Sequence, residues 1–140
     1  MAVLIDTNVV LDWILKRGQF VEPAVKIMRH CANNAFKGYL ALHSLLNIFY
    51  ITRNDFRVAQ RQEILLMLYD YFKIVNIDRR MVMVALKSSN LKDLEDDLQL
   101  RCAIKANVDY IITRDVKGFA DSAIEILSPE DFLQILEGDI

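Results

Sequence analysis

The chain has 140 residues, a formal net charge of −2 and a hydrophobic fraction of 54%. We therefore expect a single domain over residues 1–140, and the apolar excess over the usual level of about 45–50% indicates a large core or a partner-covered surface. The slightly acidic balance argues against passive nucleic-acid binding, and the lack of a run of about 18 apolar residues argues against a membrane segment.

The first half of the chain alternates short apolar runs with helical patterns. In chain order the predicted elements are strand 2–5, helix 7–16, helix 23–33, strand 38–42, helix 44–52 and helix 57–72. The first strand is continuously apolar, as expected when both faces of a parallel sheet are covered. Gly18 suits the end of the first helix, and Pro23 suits the start of the second.

The second half continues the alternation. In chain order its elements are strand 74–77, helix 79–87, helix 94–106, strand 109–113, strand 123–127 and a closing helix. Asp78, Asp93 and Ser128 are the expected N-caps of the three helices. The whole pattern predicts an α/β domain with a mostly parallel central sheet of roughly five strands flanked by helices. Ligands of such sheets bind at the carboxyl ends of the strands.

Acidic residues follow two of the predicted strands. Asp6 comes directly after the first strand, and Asp115 comes two residues after the fourth. Because parallel strands end at one edge of the sheet, both carboxylates are expected at the ligand-binding edge. Either residue alone would also suit a helix cap or a loop.

A third acidic group opens the helix 94–106. Acids in a first turn favour the helix dipole, which is reason enough for some of them. Asp97 lies four residues before Arg101 and is expected to form an ion pair on the solvent side. Asp96 lies on the stripe of Leu100 and Ala103 and is expected to point inward. A buried carboxylate needs a partner, and three convergent carboxylates predict a site for Mg²⁺ or Mn²⁺.

These motifs together resemble the PIN domain family. The resemblance lies in Leu4-Ile5-Asp6-Thr7-Asn8, in the acidic run from Asp93 to Gln99, in Ile111-Ile112-Thr113-Arg114-Asp115 with Phe119 behind it, and in the closing Ser128-Pro129-Glu130-Asp131-Phe132. It extends over essentially the whole chain, in order and at similar spacing.

The resemblance implies a ribonuclease that depends on Mg²⁺ or Mn²⁺. A cytoplasmic setting is expected separately, because the spacing of the two cysteines matches no zinc or CxxC motif and a reduced compartment is the default. Asp6, Asp96 and Asp115 match the metal-binding and catalytic acids, while Asn8 and Thr113 match supporting polar positions. Small bacterial members are largely the toxins of VapBC toxin–antitoxin pairs. The implied partners are therefore an RNA substrate, an antitoxin protein and a second copy of the chain.

One position departs from the family pattern. The family carries a glutamate in the helix after the second strand, whereas this chain has Asn47 there. An amide oxygen can still bind a cation or a water molecule, but it brings no negative charge. The sequence therefore also allows a different class of function, a catalytically weakened module that binds RNA or protein.

Three further residues are candidate RNA contacts. Arg114 and Lys117 flank Asp115, which predicts phosphate contacts at the rim of the site. His43 lies on one helical stripe with Asn47, and an ordinary polar helix face is the alternative reading of that stripe. A phosphatase site is disfavoured because Asn8 occupies the place where a second aspartate would be needed. A phospho-receiver site is disfavoured because the paired acids after the first strand and the lysine after the last strand are not evident.

Overall fold

A five-stranded, entirely parallel sheet lies at the centre of the residues that this computed structural model describes, which are 1–88, 91–119 and 122–138. Its strands are β1 (Ala2–Ile5), β2 (Lys37–Ala41), β3 (Lys73–Val75), β4 (Tyr110–Ile112) and β5 (Glu125–Leu127). Their order is β3-β2-β1-β4-β5, which confirms the expected α/β sheet. The strand order reverses between β1 and β4, and ligands of open parallel sheets bind at such a point.

Helices cover both faces of the sheet. Within the described ranges they are α1 (Thr7–Leu15), α2 (Val21–Ala32), α3 (Leu42–Ile51), α4 (Val58–Tyr71), α5 (Arg79–Leu86), α6 (Leu94–Ala106) and α7 (Pro129–Glu137). Successive side chains of β1 point to opposite faces. Val3 and Ile5 join the larger core with α1, α2, α3, α4 and α7, while Leu4 packs in a second core with α6.

The predicted helix caps are confirmed. The side chain of Asp78 accepts a hydrogen bond from Met81 N at 2.9 Å, and that of Asp93 accepts one from Asp96 N at 3.0 Å. Ser128 caps α7 in the same way. These caps satisfy backbone N–H groups that have no partner inside the helix. The cap on α6 matters most here, because it orders the turn that carries Asp96.

Several predicted boundaries were wrong by one or two residues. The C-cap of α1 is Lys16, in the left-handed conformation, so Gly18 follows the cap and begins a short 3-10 turn. Strand β2 ends at Ala41, opposite the last residue of β3. Because the strand pairing ends there, α3 begins at Leu42, two residues earlier than expected.

Cys31 and Cys102 are free and buried, one in each core. Burial raises the pKa of both thiols to about 11, so both behave as small apolar residues. In the part of the chain that the structure describes, every helix is too short or too polar to cross a membrane.

Candidate active site

Asp6 stands at the carboxyl end of β1, beside the end of β4. The two strands pair with Ile5 opposite Ile112, and Asp6 N extends the ladder by donating to Ile112 O at 2.9 Å. This register brings Thr113 next to Asp6, and Thr113 Oγ1 donates to Asp6 Oδ2 at 2.7 Å. Asp6 Oδ1 accepts from Thr7 N at 2.7 Å.

The carboxyl group of Asp6 is buried, with 5% of the residue exposed. Burial raises its pKa, and the nearby charges of Glu95 and Asp115 act in the same direction. The hydrogen bonds from Thr113 and Thr7 favour the ionised form and oppose this rise. Asp6 is therefore a carboxylate held in a fixed orientation at a position where its charge is costly.

Asn8 and Thr113 join the two strand ends into one network. Asn8 Nδ2 donates to Thr113 Oγ1 at 3.3 Å and to Asp6 Oδ2 at 3.4 Å. Asn8 Oδ1 accepts from Arg114 N at 3.3 Å, and Thr113 Oγ1 accepts from Asp115 N at 3.0 Å. The structure thus brings Asn8 and Thr113 together with Asp6 and with the backbone that carries Asp115.

Asp96 approaches the same edge from the first turn of α6. Burial raises its pKa to about 7, with further contributions from the charges of Asp93, Asp6, Asp115 and Glu95. Charges of Asp6 and Asp115 act on Asp96, as expected for carboxylates near the same edge of the sheet. Asp97, in contrast, pairs with Arg101 at 2.6 Å, as its spacing predicted.

Gly118 keeps the space between Asp96 and Asp115 open. It lies in the 3-10 turn Val116–Phe119 that follows Asp115, and its N–H donates to Asp115 Oδ1 at 3.2 Å. A Cβ on Gly118 would stand 2.6 Å from Asp115 Oδ2 and 3.1 Å from Asp96 Oδ2. One empty point therefore borders both carboxylates, and only a residue without a side chain leaves it free.

The three acids differ in exposure, since Asp6 is buried, Asp96 is half-buried and Asp115 is exposed. Exposure therefore rises from Asp6 to Asp115, and the region that these three acids border, which Gly118 leaves open, is called the cleft below. No three Asp, Glu, His or Cys side chains among residues 1–88, 91–119 and 122–138 are close enough to be a complete ligand set as they stand. The oxygen-only donors, the raised pKa values and the open point beside Gly118 nevertheless fit a hard divalent cation.

Arg114, a predicted phosphate contact, forms an ion pair within the chain. Its Nε and Nη2 atoms donate to Asp12 Oδ2 at 2.6 Å and Asp12 Oδ1 at 3.1 Å. Its guanidinium also lies over the ring of Phe20, 3.9 Å from the centroid. A bidentate pair of this kind anchors the loop to α1, and this loop contains Asp115. Asp12 is only 1% exposed, and this guanidinium compensates its charge.

His43 lies in the first turn of α3 and faces the start of α6. Both ring nitrogens are buried, and burial lowers the pKa of His43, while the neighbouring Glu95 opposes that change. An imidazole in this position does not present its nitrogens to a ligand in solvent, so a direct RNA contact would require the seam between α3 and α6 to open. Lys117, by contrast, is exposed on the turn beside Asp115.

Asn47 lies one helical turn after His43 and is half-buried. Among the described residues, none forms a hydrogen bond with its side chain. Its amide is therefore available to a ligand, which is compatible with the supporting role predicted for it.

A polar cluster beneath the site was not predicted. Gln99 Nε2 donates to Ser44 Oγ at 2.7 Å and to Thr7 Oγ1 at 3.2 Å, and Thr7 Oγ1 donates to Ser44 Oγ at 2.7 Å. One feature of the sequence could have indicated that Gln99 lies near the site: Gln99 and Asp96 are three residues apart and share a helix face. No such feature indicated the partners, which are 92 and 55 residues away from Gln99.

Comparisons with known proteins agree with this geometry. The sequence model of the PIN domain matches residues 2–117. The chain is similar to the solved structure of VapBC2 from Rickettsia felis bound to a DNA fragment from its promoter, with a TM-score of 0.65, 16% identity, and 91% of this chain and 98% of that chain covered.

Two further solved structures are similar to the chain. For FitAB bound to the IR36 DNA fragment the TM-score is 0.68 at 16% identity, with 91% of this chain and 94% of that chain covered. For a toxin–antitoxin complex from Klebsiella pneumoniae it is 0.63 at 23% identity, with 91% and 97% covered. At such identities the likeness shows a shared fold. No curated protein sequence matches significantly.

The raised pKa of Asp96 predicts how stability depends on pH. Between its ordinary value of 3.8 and about 7, the folded chain holds a proton that the unfolded chain has lost. This group therefore stabilises the fold less as pH rises through that window. We expect Asp96→Asn to remove this contribution and to raise the metal-free stability at about pH 8 by about 1 kcal/mol.

Urea unfolding in EDTA at about pH 5 and about pH 8 measures the effect. Asp97→Asn is the matched control, because Asp97 is paired with Arg101. The difference between variants isolates Asp96 from His43, whose lowered pKa acts with the opposite sign. An identical pH slope in Asp96→Asn and the native chain would contradict the burial and charge environment described for Asp96.

Proposed function

The chain belongs to the PIN domain family, and from that premise we propose that it is a divalent-metal-dependent ribonuclease, the toxin of a toxin–antitoxin pair. Members of this family are generally nucleases. The observation that carries the proposal is that Asp96 Oδ2 and Asp115 Oδ2 border one open point beside Gly118, while Asp6 lies at the end of the adjacent strand β1. Carboxylates that repel one another at the point where the strand order of a parallel sheet reverses lower the stability of the fold, and they are well suited to binding a cation.

We propose that Asp6, Asp96 and Asp115 hold Mg²⁺ or Mn²⁺. When bound, the ion supplies positive charge that stabilises the developing charge on a phosphodiester undergoing hydrolysis. The chain's own residues prepare that site. Thr113 Oγ1 and Thr7 N hold the carboxylate of Asp6, and Asn8 links the two strand ends. Asp96, with a pKa near 7, must lose its proton before it can ligate.

RNA binding requires local positive charge, because the whole chain is slightly acidic. Lys117 supports this part of the proposal, since it is exposed and lies two residues after Asp115, on the turn Val116–Phe119. We propose that it contacts a phosphate of the RNA. The guanidinium of Arg114 holds the loop that contains Asp115 against Asp12.

An antitoxin and a second copy of the chain are the proposed protein partners. Large apolar side chains are exposed on α3 and α4, among them Leu46, Tyr50, Leu66 and Tyr69. Exposed apolar side chains of this size are typical of a surface that a protein covers. One of the three similar structures is a toxin–antitoxin complex, which supports an antitoxin partner; the other two, VapBC2 and FitAB, are bound to DNA fragments. A toxin that cleaves cellular RNA would act in the cytoplasm.

The second candidate function is binding without turnover. It is favoured by Asn47, which brings no charge to a place where the family carries a glutamate. In that case the cleft would bind metal or RNA, and the phosphodiester would stay intact.

Replacing any of the three acids should abolish cleavage. We expect Asp6→Asn, Asp96→Asn and Asp115→Asn to stop metal-dependent cutting, because each removes a charge from the cleft and leaves its shape intact. Pure protein is incubated with a panel of structured RNAs and Mn²⁺ or Mg²⁺, with EDTA and Asp97→Asn as controls. Cutting that survives Asp6→Asn would refute the assigned site, and RNA binding without cutting in the native chain would favour the second candidate.

Adding the missing charge should strengthen metal binding. We expect Asn47→Glu to tighten Mn²⁺ binding by about tenfold, because affinity rises with the number of charged ligands. Titration calorimetry measures it, and Asn54→Glu is the matched control, with the same charge at an exposed position on the 3-10 turn after α3. Equal affinities of both variants and the native chain would place Asn47 away from the metal.

Filling the space at Gly118 should weaken the same site. In Gly118→Ala the new methyl group would displace Asp115 and crowd Asp96, and we expect Mn²⁺ affinity to fall by about tenfold. The thermal midpoint of the metal-free protein should change little, because Gly118 is exposed and has a conformation open to alanine. Unchanged Mn²⁺ affinity would show that the space beside Gly118 is not part of the metal site.

A further inference from the structure

The polar cluster of Thr7, Ser44 and Gln99 joins three helices beneath the cleft. Thr7 is the first residue of α1, Ser44 lies in the first turn of α3 and Gln99 lies in the second turn of α6. The exposed fractions are 5%, 0% and 0%. Every pair of these side chains is joined by a hydrogen bond of 3.2 Å or less.

Each member of the cluster lies next to a residue of the candidate site. Thr7 follows Asp6 and also gives its N–H to the carboxylate. Gln99 is three residues after Asp96 and therefore on the same face of α6. Ser44 is three residues before Asn47 on α3. The cluster is the one set of side-chain hydrogen bonds among the described residues that ties α6 to both α1 and α3.

Stability alone does not account for this cluster. A buried polar side chain costs free energy unless all its atoms are paired, and Gln99 Oε1 has no partner among the described residues. Replacing all three partners together by apolar side chains of the same size can be nearly neutral for stability. Hydrogen bonds differ from apolar contacts in being directional, so they fix the distance and angle between helices.

The acids of the candidate site make a restraint on the position of α6 necessary. Without a cation, Asp6, Asp96 and Asp115 repel one another, and the repulsion pushes the first turn of α6 away from β1 and β4. The contact of Gln99 with Thr7 and Ser44 lies one turn behind Asp96 and acts against that displacement.

We propose that Thr7, Ser44 and Gln99 are positioning residues that hold α6 so that Asp96 stands across from Asp6 and Asp115 at the spacing a divalent cation requires. The inference rests on the proposed metal site and goes beyond it in assigning a role to three residues that do not touch the ion. It explains why a cluster of polar groups is kept at 0–5% exposure directly behind the acids.

The test separates metal affinity from stability. Gln99→Met and Ser44→Ala remove the hydrogen bonds with little change in volume, and Thr7→Val is compared with Thr7→Ser, which keeps the hydroxyl. Thr52→Val is the matched control, because Thr52 is 1% exposed and its Oγ1 donates to Ile48 O at 2.7 Å, away from the cluster.

We expect Gln99→Met, Ser44→Ala and Thr7→Val to bind Mn²⁺ about 10- to 100-fold more weakly by titration calorimetry. The metal-free thermal midpoint of Gln99→Met should be close to that of the native chain, whereas Ser44→Ala and Thr7→Val should lose some stability, as Thr52→Val does, because each leaves a buried partner unpaired. Thr7→Ser should restore most of the affinity, and Thr52→Val should lose stability and keep the native affinity. Native Mn²⁺ affinity in all three cluster variants would overturn the inference.

A crystal structure of metal-free Gln99→Met is the second readout. We expect Asp96 to lie farther from Asp115 and Gly118 than in the native chain, and an unchanged arrangement would overturn the inference. If the native chain itself does not bind Mn²⁺, the proposed metal site fails. In that case the crystal structure of metal-free Gln99→Met still decides whether the cluster positions Asp96.

Discussion

The repulsion among Asp6, Asp96 and Asp115 is the interaction on which the rest of this structure depends. Burial and neighbouring negative charge together raise the pKa of Asp6 and of Asp96. A fold selected for stability alone would keep these groups apart or pair them with cations. Here they are gathered at the edge where β1 and β4 end, and the surrounding residues restrain them without neutralising them.

Most of those restraints are hydrogen bonds to the backbone and to side chains next to the acids. Thr113 serves two acids at once, because its hydroxyl donates to Asp6 and accepts from the N–H of Asp115. The pair of Arg114 with Asp12 holds the same loop from its other side. The guanidinium of Arg114 is therefore next to Asp115 in the sequence but points toward α1. The cleft stays electronegative because this positive charge is directed away from it.

The fold also decides how a polymeric substrate would reach the acids. Asp115 and Lys117 are exposed, whereas Asp6 is buried at the end of the cleft. An ion bound between them would be reached from the side of the turn Val116–Phe119.

Much of this protein could be read from local sequence. The apolar run before Asp6, the capping position of Asp93 and the helix face shared by Asp96 and Leu100 are short-range patterns, and they were enough to predict the sheet, α6 and the three acids. Asp12, Ser44 and Gln99 could not be assigned in this way. Their partners are tens of residues distant, with 102 positions between Asp12 and Arg114 and 92 between Thr7 and Gln99. Periodicity and capping report which way a side chain points on its own element. Which side chain meets it from another element depends on strand order and helix packing, and only the tertiary structure decides that.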